Sequence, residues 1–273
     1  MFKVLKSKFE QFIRLVFINF LTPKNNSIIL IEYPKSGGTW LGQLVSEYFK
    51  IPFPRNKFPG FKRSLYHGHY LPSRRILKNK KIIFLVRDGR DVMVSLYHHQ
   101  LIWNNKNKHN PNKVNYYRKT TGFQNVEDVK ENMNSFINYS FSHAPSKLQN
   151  FTFYGNWYNY NKAWLNNMKD QKNIYLIKYE DLLFNTEETL KKMFYEFFEE
   201  KNIDEASLKK IVHTFSFENQ TNRKKGDENS KSFLRKGVSG DWENYFGEQE
   251  KETFKIFSKN MLVTLEYEKD TNW

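Results

Sequence analysis

The sequence predicts an α/β fold: a single domain with a central parallel sheet flanked by helices and a P-loop-like phosphate-binding loop. Three short runs rich in β-branched and apolar residues have the character of buried parallel strands: Ile28 to Tyr33, Ile82 to Val86 and Ile174 to Ile177. Each run is followed by a polar turn and then by helical periodicity. In such sheets ligands bind beyond the carboxyl ends of the strands. The loops that begin at Pro34 and Arg87 are therefore the first candidate sites.

The helices between these strands are predicted from their own patterns. Apolar residues after the first strand recur on one helical face, at Trp40, Leu41, Leu44, Val45, Tyr48 and Phe49. After the third strand, the run Asn185-Thr186-Glu187-Glu188 predicts a capping box that opens a helix through Phe198. The segment from Gln100 to Tyr160 is rich in Asn, Lys and aromatic residues and has weak periodicity, so we expect a partly helical insertion there.

The bulk composition limits the chemistry. The chain has 273 residues, which suits one large α/β domain, and it has no cysteine, which excludes disulfides and thiolate metal sites. The histidines show no paired metal-ligand spacing, so we expect no metal. The absence of cysteine fits a reducing compartment, and we expect a cytoplasmic protein. The net charge of +15 favours anionic partners such as nucleotides, sulfated or phosphorylated substrates, or a lipid surface.

Residues 1–25 predict a basic amphipathic helix that precedes a domain of residues 26–273. The longest uninterrupted apolar run in this segment is Leu15 to Ile18, whereas a bilayer span needs roughly 20 apolar residues. The segment also lacks the apolar core of a signal peptide. Two roles fit such a helix: packing on the domain, or peripheral contact with a membrane through residues 1–21.

The loop after the first strand contains the groups of a phosphate site in an unusual order. A helix that begins near Thr39 would place free backbone N–H groups and the positive end of the helix dipole in one small space. The Walker pattern GxxxxGK[ST] is not met, because the lysine precedes the glycines. On the residues alone, an ordinary tight turn with a solvated lysine fits equally well. The candidate binding residues of this loop are Lys35, Ser36, Gly37, Gly38, Thr39 and Trp40.

Two further segments offer cations at predicted turns. In "LVRDGRDVMVSLYHH", Arg87 at the end of a strand and Ser95 on the following helix can bind one anion; an ion pair of Arg87 with a nearby aspartate is the alternative. In "FLRKGVSGDWENYF", Arg235 and Lys236 precede Gly237, whose backbone can approach a phosphate. A basic turn without further meaning is the alternative there.

These three motifs, in this order, resemble the cytosolic-type sulfotransferases, which use 3′-phosphoadenosine-5′-phosphosulfate (PAPS). The family's loop reads Pro-Lys-Ser-Gly-Thr-Thr-Trp-Leu, so this chain departs from it at Gly38. The resemblance implies that the first loop binds the 5′-phosphosulfate and that the Arg-x7-Ser and Arg-Lys-Gly segments bind the 3′-phosphate. It also implies that Trp40 and Tyr179 lie beside the adenine, with a weaker suggestion of Ser216 and Phe217 near the nucleotide.

The resemblance also implies a histidine base, and the segment "YHGHYLPS" offers two. The family pattern here is Lys-Thr-His-Leu-Pro. Alignment on the histidine makes His69 the base and puts His67 where the lysine usually stands, whereas alignment on Pro72 shifts the match by one residue. We expect His69 to be the base, with His67 next, and a non-catalytic pair as the remaining alternative. Lys35 would then neutralise charge on the bridging oxygen of an in-line displacement.

The acceptor stays open between hydroxyls of small molecules, lipids and carbohydrates. The family's dimer segment is poorly matched at Glu243 to Glu252, so the oligomeric state is open as well. Two other functions compete with a sulfotransferase: a P-loop-type small-molecule kinase, and a non-enzymatic basic protein that binds polyanions or membranes. The kinase would need a Walker-type lysine, which the sequence lacks, and the polyanion binder leaves the order of the three motifs unexplained. We expect no nucleic-acid partner.

Overall fold

The computed structural model describes Ile13 and residues 27–54, 62–72, 80–107, 111–143, 155–169 and 171–273. Apart from Ile13, the predicted helix of residues 1–25 lies outside the described residues. The chain divides into two compact units: one comprises the described parts of 1–86, 145–155 and 159–215, and the other those of 87–144, 156–158 and 216–273. The chain passes between the units several times, so they are not consecutive along the sequence.

The first unit contains a four-stranded parallel sheet. Its strands are β1 (Ile28–Glu32), β2 (Leu65–Gly68), β3 (Lys81–Val86) and β4 (Ile174–Lys178). The order is β2-β1-β3-β4, with every neighbouring pair parallel. The three predicted strands are confirmed, each to within one residue at one end. All five residues of β1 are buried, as expected for a strand covered on both faces.

The strand β2 was not predicted. It has four residues, Leu65, Tyr66, His67 and Gly68, and its second half is only half-buried. Such a short run with a histidine and a glycine carries little β signal. Pairing with β1 stabilises this short strand: Ile28 of β1 lies beside Leu65, and Leu30 lies beside His67. The segment that contains both histidines therefore begins as an edge strand.

In the described chain, helices follow β1, β3 and β4. In chain order they are α1 (Gly38–Tyr48), α2 (Gly89–Tyr97), α3 (Pro111–Thr121), α4 (Val129–Ser142), α5 (Trp157–Met168), α6 (Tyr179–Phe184), α7 (Thr186–Phe198), α8 (Glu205–Thr214), α9 (Phe217–Thr221), α10 (Glu248–Ser258) and α11 (Met261–Thr264). A π-helical turn, His98–Trp103, extends α2 into a short helical segment, Asn104–Lys106, and a 3-10 turn spans Asp241–Asn244.

The predicted apolar face of α1 is confirmed. Leu41, Leu44 and Val45 are fully buried in a core that also contains Ile83 of β3 and Phe194 of α7. The helix α7 is also confirmed, but its predicted capping box is not formed, because the side chain of Asn185 makes no cap hydrogen bond. Burial of the apolar face therefore stabilises α7 more than its first turn does.

In the second unit, α4 and α10 pack through aromatic side chains. The ring of Phe141 lies 5.6 Å from that of Phe254 and is stacked on Phe257 at 5.0 Å between centroids. The described part of the insertion predicted between Gln100 and Tyr160 is mainly helical, formed by α3, α4 and the start of α5. Within the described ranges, none of the helices combines the length and the apolar character that a bilayer span requires.

Candidate functional site

The loop after β1 turns sharply into α1. Lys35 has a φ of 75° and Gly37 a φ of 107°, both in the left-handed region. Glycine adopts this conformation readily, whereas a lysine there carries backbone strain, and such strain concentrates at functional sites. The backbone N–H and the hydroxyl of Ser36 both donate to the carbonyl of Tyr33, at 3.2 and 2.8 Å, which closes the turn.

A buried carboxylate, not predicted as a site residue, organises this loop. Glu32, the last residue of β1, is only 3% exposed. Its Oε2 accepts a 2.5 Å hydrogen bond from the backbone N–H of Gly38, and its Oε1 lies 2.9 Å from Nε2 of His67. Burial opposes the charged form, but the hydrogen bond from His67 and the charges of His67 and His69 outweigh it, so the pKa of Glu32 is lowered.

The sheet register explains why these groups meet. In β1, Leu30 and Glu32 are two residues apart and so point to the same face of the sheet. His67 of β2 lies beside Leu30, and a continuation of that register would bring His69 beside Glu32. Both histidines therefore belong on the Glu32 face, and their rings lie 5.3 Å apart.

Gly38 departs from the family pattern because a side chain there would strike this cluster. A Cβ atom on Gly38 would lie 2.6 Å from Cδ of Glu32 and 2.6 Å from Nε2 of His67, both too close for real contacts. Gly38 stands where the family's loop has threonine, and in the alignment on His69 the residue His67 stands where the family has lysine. Both meet at Glu32, so the two departures form one structural unit.

We expect Gly38→Thr, which restores the family's residue, to destabilise the fold by about 1–3 kcal/mol, as overpacking of a closely packed site typically does. The new side chain must displace the carboxylate of Glu32 or the ring of His67. Urea unfolding of the purified variant measures the change. In a Glu32→Ala background the same substitution should cost clearly less, and equal costs in both backgrounds would contradict the proposed clash.

His69 is held in the tautomer that a proton acceptor needs. Its Nδ1 lies 2.9 Å from the backbone carbonyl oxygen of Glu32. A carbonyl can only accept, so Nδ1 carries the proton and the lone pair lies on Nε2. Burial and the charge of His67 lower the pKa of His69 to about 4, and a neutral imidazole results near pH 7. His67 makes a different contact, because its Nε2 lies 2.9 Å from Oε1 of the Glu32 carboxylate.

The expectation that the loop N–H groups all point at one anion is wrong in part. Those of Ser36 and Gly38 donate to Tyr33 and Glu32, and that of Trp40 donates to Gly37. Among the described residues, the N–H groups of the loop that remain for an anion are those of Gly37 and Thr39. These lie at the N-terminus of α1, where the helix dipole favours negative charge.

Two aromatic residues predicted to contact adenine lie beside this loop. The ring of Tyr179 covers Gly37 so closely that a Cβ there would lie 2.5 Å from Cδ2 of the tyrosine. Trp40 meets Tyr179 edge to face, with 6.1 Å between ring centroids, and donates from Nε1 to the carbonyl of Phe215 at 2.9 Å. Both side chains are thus fixed next to the loop.

In the second unit, Asp91 joins Arg87 to the turn that follows Gly237. Nη2 of Arg87 donates to Oδ2 of Asp91 at 3.4 Å and to the carbonyl of Val238 at 3.2 Å. Asp91 also accepts from the backbone N–H groups of Gly240 and Trp242, at 2.9 and 3.0 Å. The alternative interpretation of Arg87, an ion pair with Asp91, is therefore present, and it places Arg87 beside the third motif.

Arg235 and Lys236 both contact the carboxylate of Asp241. Nζ of Lys236 lies 2.5 Å from Oδ1, and a guanidinium nitrogen of Arg235 contacts Oδ2. Burial opposes ionisation of Asp241, but these two cations outweigh it and lower its pKa. Gly237 has a φ of 69° and lies against the ring of Phe217. A Cβ atom on Gly237 would lie 2.5 Å from Cδ2 of that ring. An anionic ligand would compete with Asp241 for two cations already held in place.

Ser95 lies in the last turn of α2 and is half-buried. Its convergence with Arg87 on one anion stays a prediction. The buried His98, one turn further on, lines a pocket of about 470 Å³ together with Glu228 and Tyr245. Burial and the charge of Arg235 lower the pKa of His98 to about 3, so it is neutral and not suited to hold an anion.

Comparison with known proteins identifies relatives along most of the chain. The family model described as "Sulfotransferase domain" matches residues 55–264. Sulfotransferase 1B1 of Mus musculus is 30% identical over 286 aligned residues, which cover 88% of this chain and 84% of that protein. The crystal structure of mouse sulfotransferase SULT7A1 complexed with PAP is similar, with a TM-score of 0.63, 22% identity and coverage of 94% of each chain.

A second solved structure, retinol dehydratase in a complex with retinol and PAP, matches with a TM-score of 0.60 and 17% identity, covering 90% of this chain and 84% of that one. At these identities the likeness to the two solved structures shows a shared fold.

Proposed function

This chain belongs to the sulfotransferase family and is a PAPS-dependent sulfotransferase, and we propose that its catalytic centre is formed by the loop after β1 and the histidines beside it. The observation that carries this proposal is the hydrogen bond from Nδ1 of His69 to the carbonyl of Glu32. It leaves Nε2 as the proton acceptor on a neutral ring, which is the state required of a general base.

In the proposed reaction, PAPS supplies the sulfuryl group to an acceptor hydroxyl. His69 takes the hydroxyl proton on Nε2 as the acceptor oxygen attacks sulfur and the bond from sulfur to the phosphate oxygen breaks. Lys35 neutralises the negative charge that develops on the leaving phosphate oxygen. Glu32 keeps the ring of His69 in its tautomer through the backbone carbonyl, and it holds His67 through the carboxylate.

We assign the binding of PAPS to residues of each unit separately. In the first unit, Lys35, Ser36, Gly37, Gly38 and Thr39 are assigned to the 5′-phosphosulfate, with the N–H groups of Gly37 and Thr39 as its backbone donors. Trp40 and Tyr179 are assigned to the adenine. The donation of Gly38 N–H to Glu32 makes its contribution indirect. In the second unit, Arg87, Ser95, Arg235, Lys236 and Gly237 are assigned to the 3′-phosphate. The shared contact through Asp91 supports this grouping, because it orders Arg87 and the turn after Gly237 together.

The spent donor, adenosine 3′,5′-bisphosphate, is expected to raise the melting temperature without Mg²⁺. A ligand at 100 times its Kd stabilises the folded state by about 2.7 kcal/mol. Arg87→Ala should lose most of this shift, because the guanidinium is the planar donor for a phosphate. Arg118→Ala, which removes an exposed arginine of α3, serves as the matched control and should keep it.

A shift that appears only with ATP and Mg²⁺ would contradict the proposal and favour a kinase. Equal shifts in the wild type and in Arg87→Ala would remove Arg87 from the site.

The acceptor is proposed to be a small hydroxylated molecule, lipids and carbohydrates included. A relative of this fold has been solved with retinol, which shows that the fold accommodates such a compound in that protein. We also propose a cytoplasmic location, with residues 1–21 as the segment that would contact a membrane. Sedimentation with anionic vesicles, with and without residues 1–21, tests the second point.

A further inference from the structure

The side chains of Glu32, His67 and His69 form a set of potential metal ligands that the transfer reaction does not require. Glu32, His67 and His69 each offer one donor atom, and these atoms all lie within 4.8 Å of one another. We propose that they bind a Zn²⁺ ion, and that the bound ion inhibits the enzyme by occupying Nε2 of His69. The inhibition rests on the proposed role of His69 as the base, whereas the binding does not.

The spacing of the donors is near that of a tetrahedral zinc site. With zinc–ligand bonds of about 2.1 Å, two ligands of a tetrahedron lie about 3.4 Å apart. Oε1 of Glu32 and Nε2 of His67 are 2.9 Å apart. This pair has to open slightly as the metal replaces the proton between them. Side-chain rotation then brings in His69, whose donor atom lies within 4.8 Å of the other two. Two histidines and a glutamate leave a fourth position for water, as in several zinc enzymes.

The outer hydrogen bonds of such a site are already present. Metal-binding histidines usually donate their second ring N–H to a backbone carbonyl or a carboxylate, and bound carboxylates are themselves hydrogen-bonded. His69 donates from Nδ1 to the carbonyl of Glu32, and the Glu32 carboxylate accepts from Gly38 N–H. These bonds fix the lone pair of His69 on Nε2 and orient the carboxylate, so little order has to be gained on binding.

The charge of the cluster selects the ion and limits its affinity. One carboxylate and two imidazole nitrogens suit a borderline dication such as Zn²⁺, whereas Mg²⁺ prefers an octahedron of oxygen ligands. The Lys35 ammonium acts on the same cluster, since its charge contributes to the lowered pKa of His69. That repulsion weakens cation binding and makes the inhibition reversible by a chelator.

Calorimetric titration of the chelator-treated full chain with Zn²⁺, without donor or acceptor, tests the site. We expect one ion per chain and no heat with Mg²⁺. Glu32→Gln and His67→Gln should each weaken binding at least about tenfold, as loss of a ligand or of its support does. His213→Gln removes an exposed histidine of α8 and should bind as the wild type does. Thermal melting of each variant reports whether it is folded, and at least one ligand variant must be folded for the comparison.

Binding of Zn²⁺ that is equally tight in the wild type and in a folded ligand variant would overturn the proposal, as would no binding. The transfer assay separates this result from the base assignment. If zinc binds as expected but His69→Ala transfers normally, the metal site stands and His69 is not the base. If His69→Ala is inactive and zinc does not bind, His69 stands as the base and the metal site is refuted.

Discussion

Replacing His69 with alanine is expected to lower kcat by about 10²–10⁴-fold, the usual contribution of a positioned general base. The neutral ring of His69 can take a proton on Nε2, because its Nδ1 is committed to the Glu32 carbonyl. KM for PAPS should change little, since the ring is not assigned to donor binding. Initial rates with radiolabelled PAPS and a hydroxylated acceptor measure both constants.

The matched variant is His67→Ala. It removes the partner of a buried carboxylate, so we expect lower stability together with a smaller loss of kcat. A His69→Ala enzyme at full rate, with His67→Ala inactive but folded, would move the base to His67 and reverse the assignment.

Three of the four described strands and the three motifs could be predicted because their signals are local. The run Ile28 to Tyr33 is apolar except for Glu32, and the glycines of the next turn follow it within a few residues. The order of the three motifs then matched the pattern of the sulfotransferase family. These features depend on neighbours in the chain, and the structure confirms β1, β3 and β4 close to their predicted bounds.

The role of Glu32 could not be predicted in the same way. In the sequence it is the polar end of a strand, and its partner His67 lies 35 residues away in a strand too short to recognise. Only the register of β1 and β2 brings the two side chains to one face. Gly38 illustrates the consequence: the sequence marks it as a lost hydroxyl, whereas in the structure a side chain at this position would have to displace Glu32 or His67.

Asp91 shows a second limit of prediction from the sequence. The sequence presents it as a rival partner for Arg87, four residues away, and that contact exists. Its hydrogen bonds to Gly240 and Trp242 cross about 150 residues of sequence, and no local pattern indicates them. One carboxylate therefore both competes for the arginine and orders the turn after Gly237, within the third motif.

Replacing Lys35 with alanine is expected to lower kcat by about 10²–10³-fold, comparable to removal of one donor that stabilises charge in a transition state. The ammonium has its largest effect when the bond to the leaving phosphate breaks, so kcat should fall more than affinity for adenosine 3′,5′-bisphosphate. Single-turnover rates and thermal shifts with this ligand separate the two effects. A kcat within tenfold of the wild type would remove Lys35 from the reaction.

The backbone at this position allows a sharper comparison. Lys35 has a φ of 75°, where glycine is unstrained and other residues pay about 1–2 kcal/mol. Lys35→Gly should therefore be as inactive as Lys35→Ala but more stable to urea. If instead the two variants unfold at the same urea concentration, position 35 is not strained, and the conformation of the loop would have to be explained by its hydrogen bonds alone. Greater stability with lost activity would show that the protein retains a strained lysine because the reaction requires its charge there.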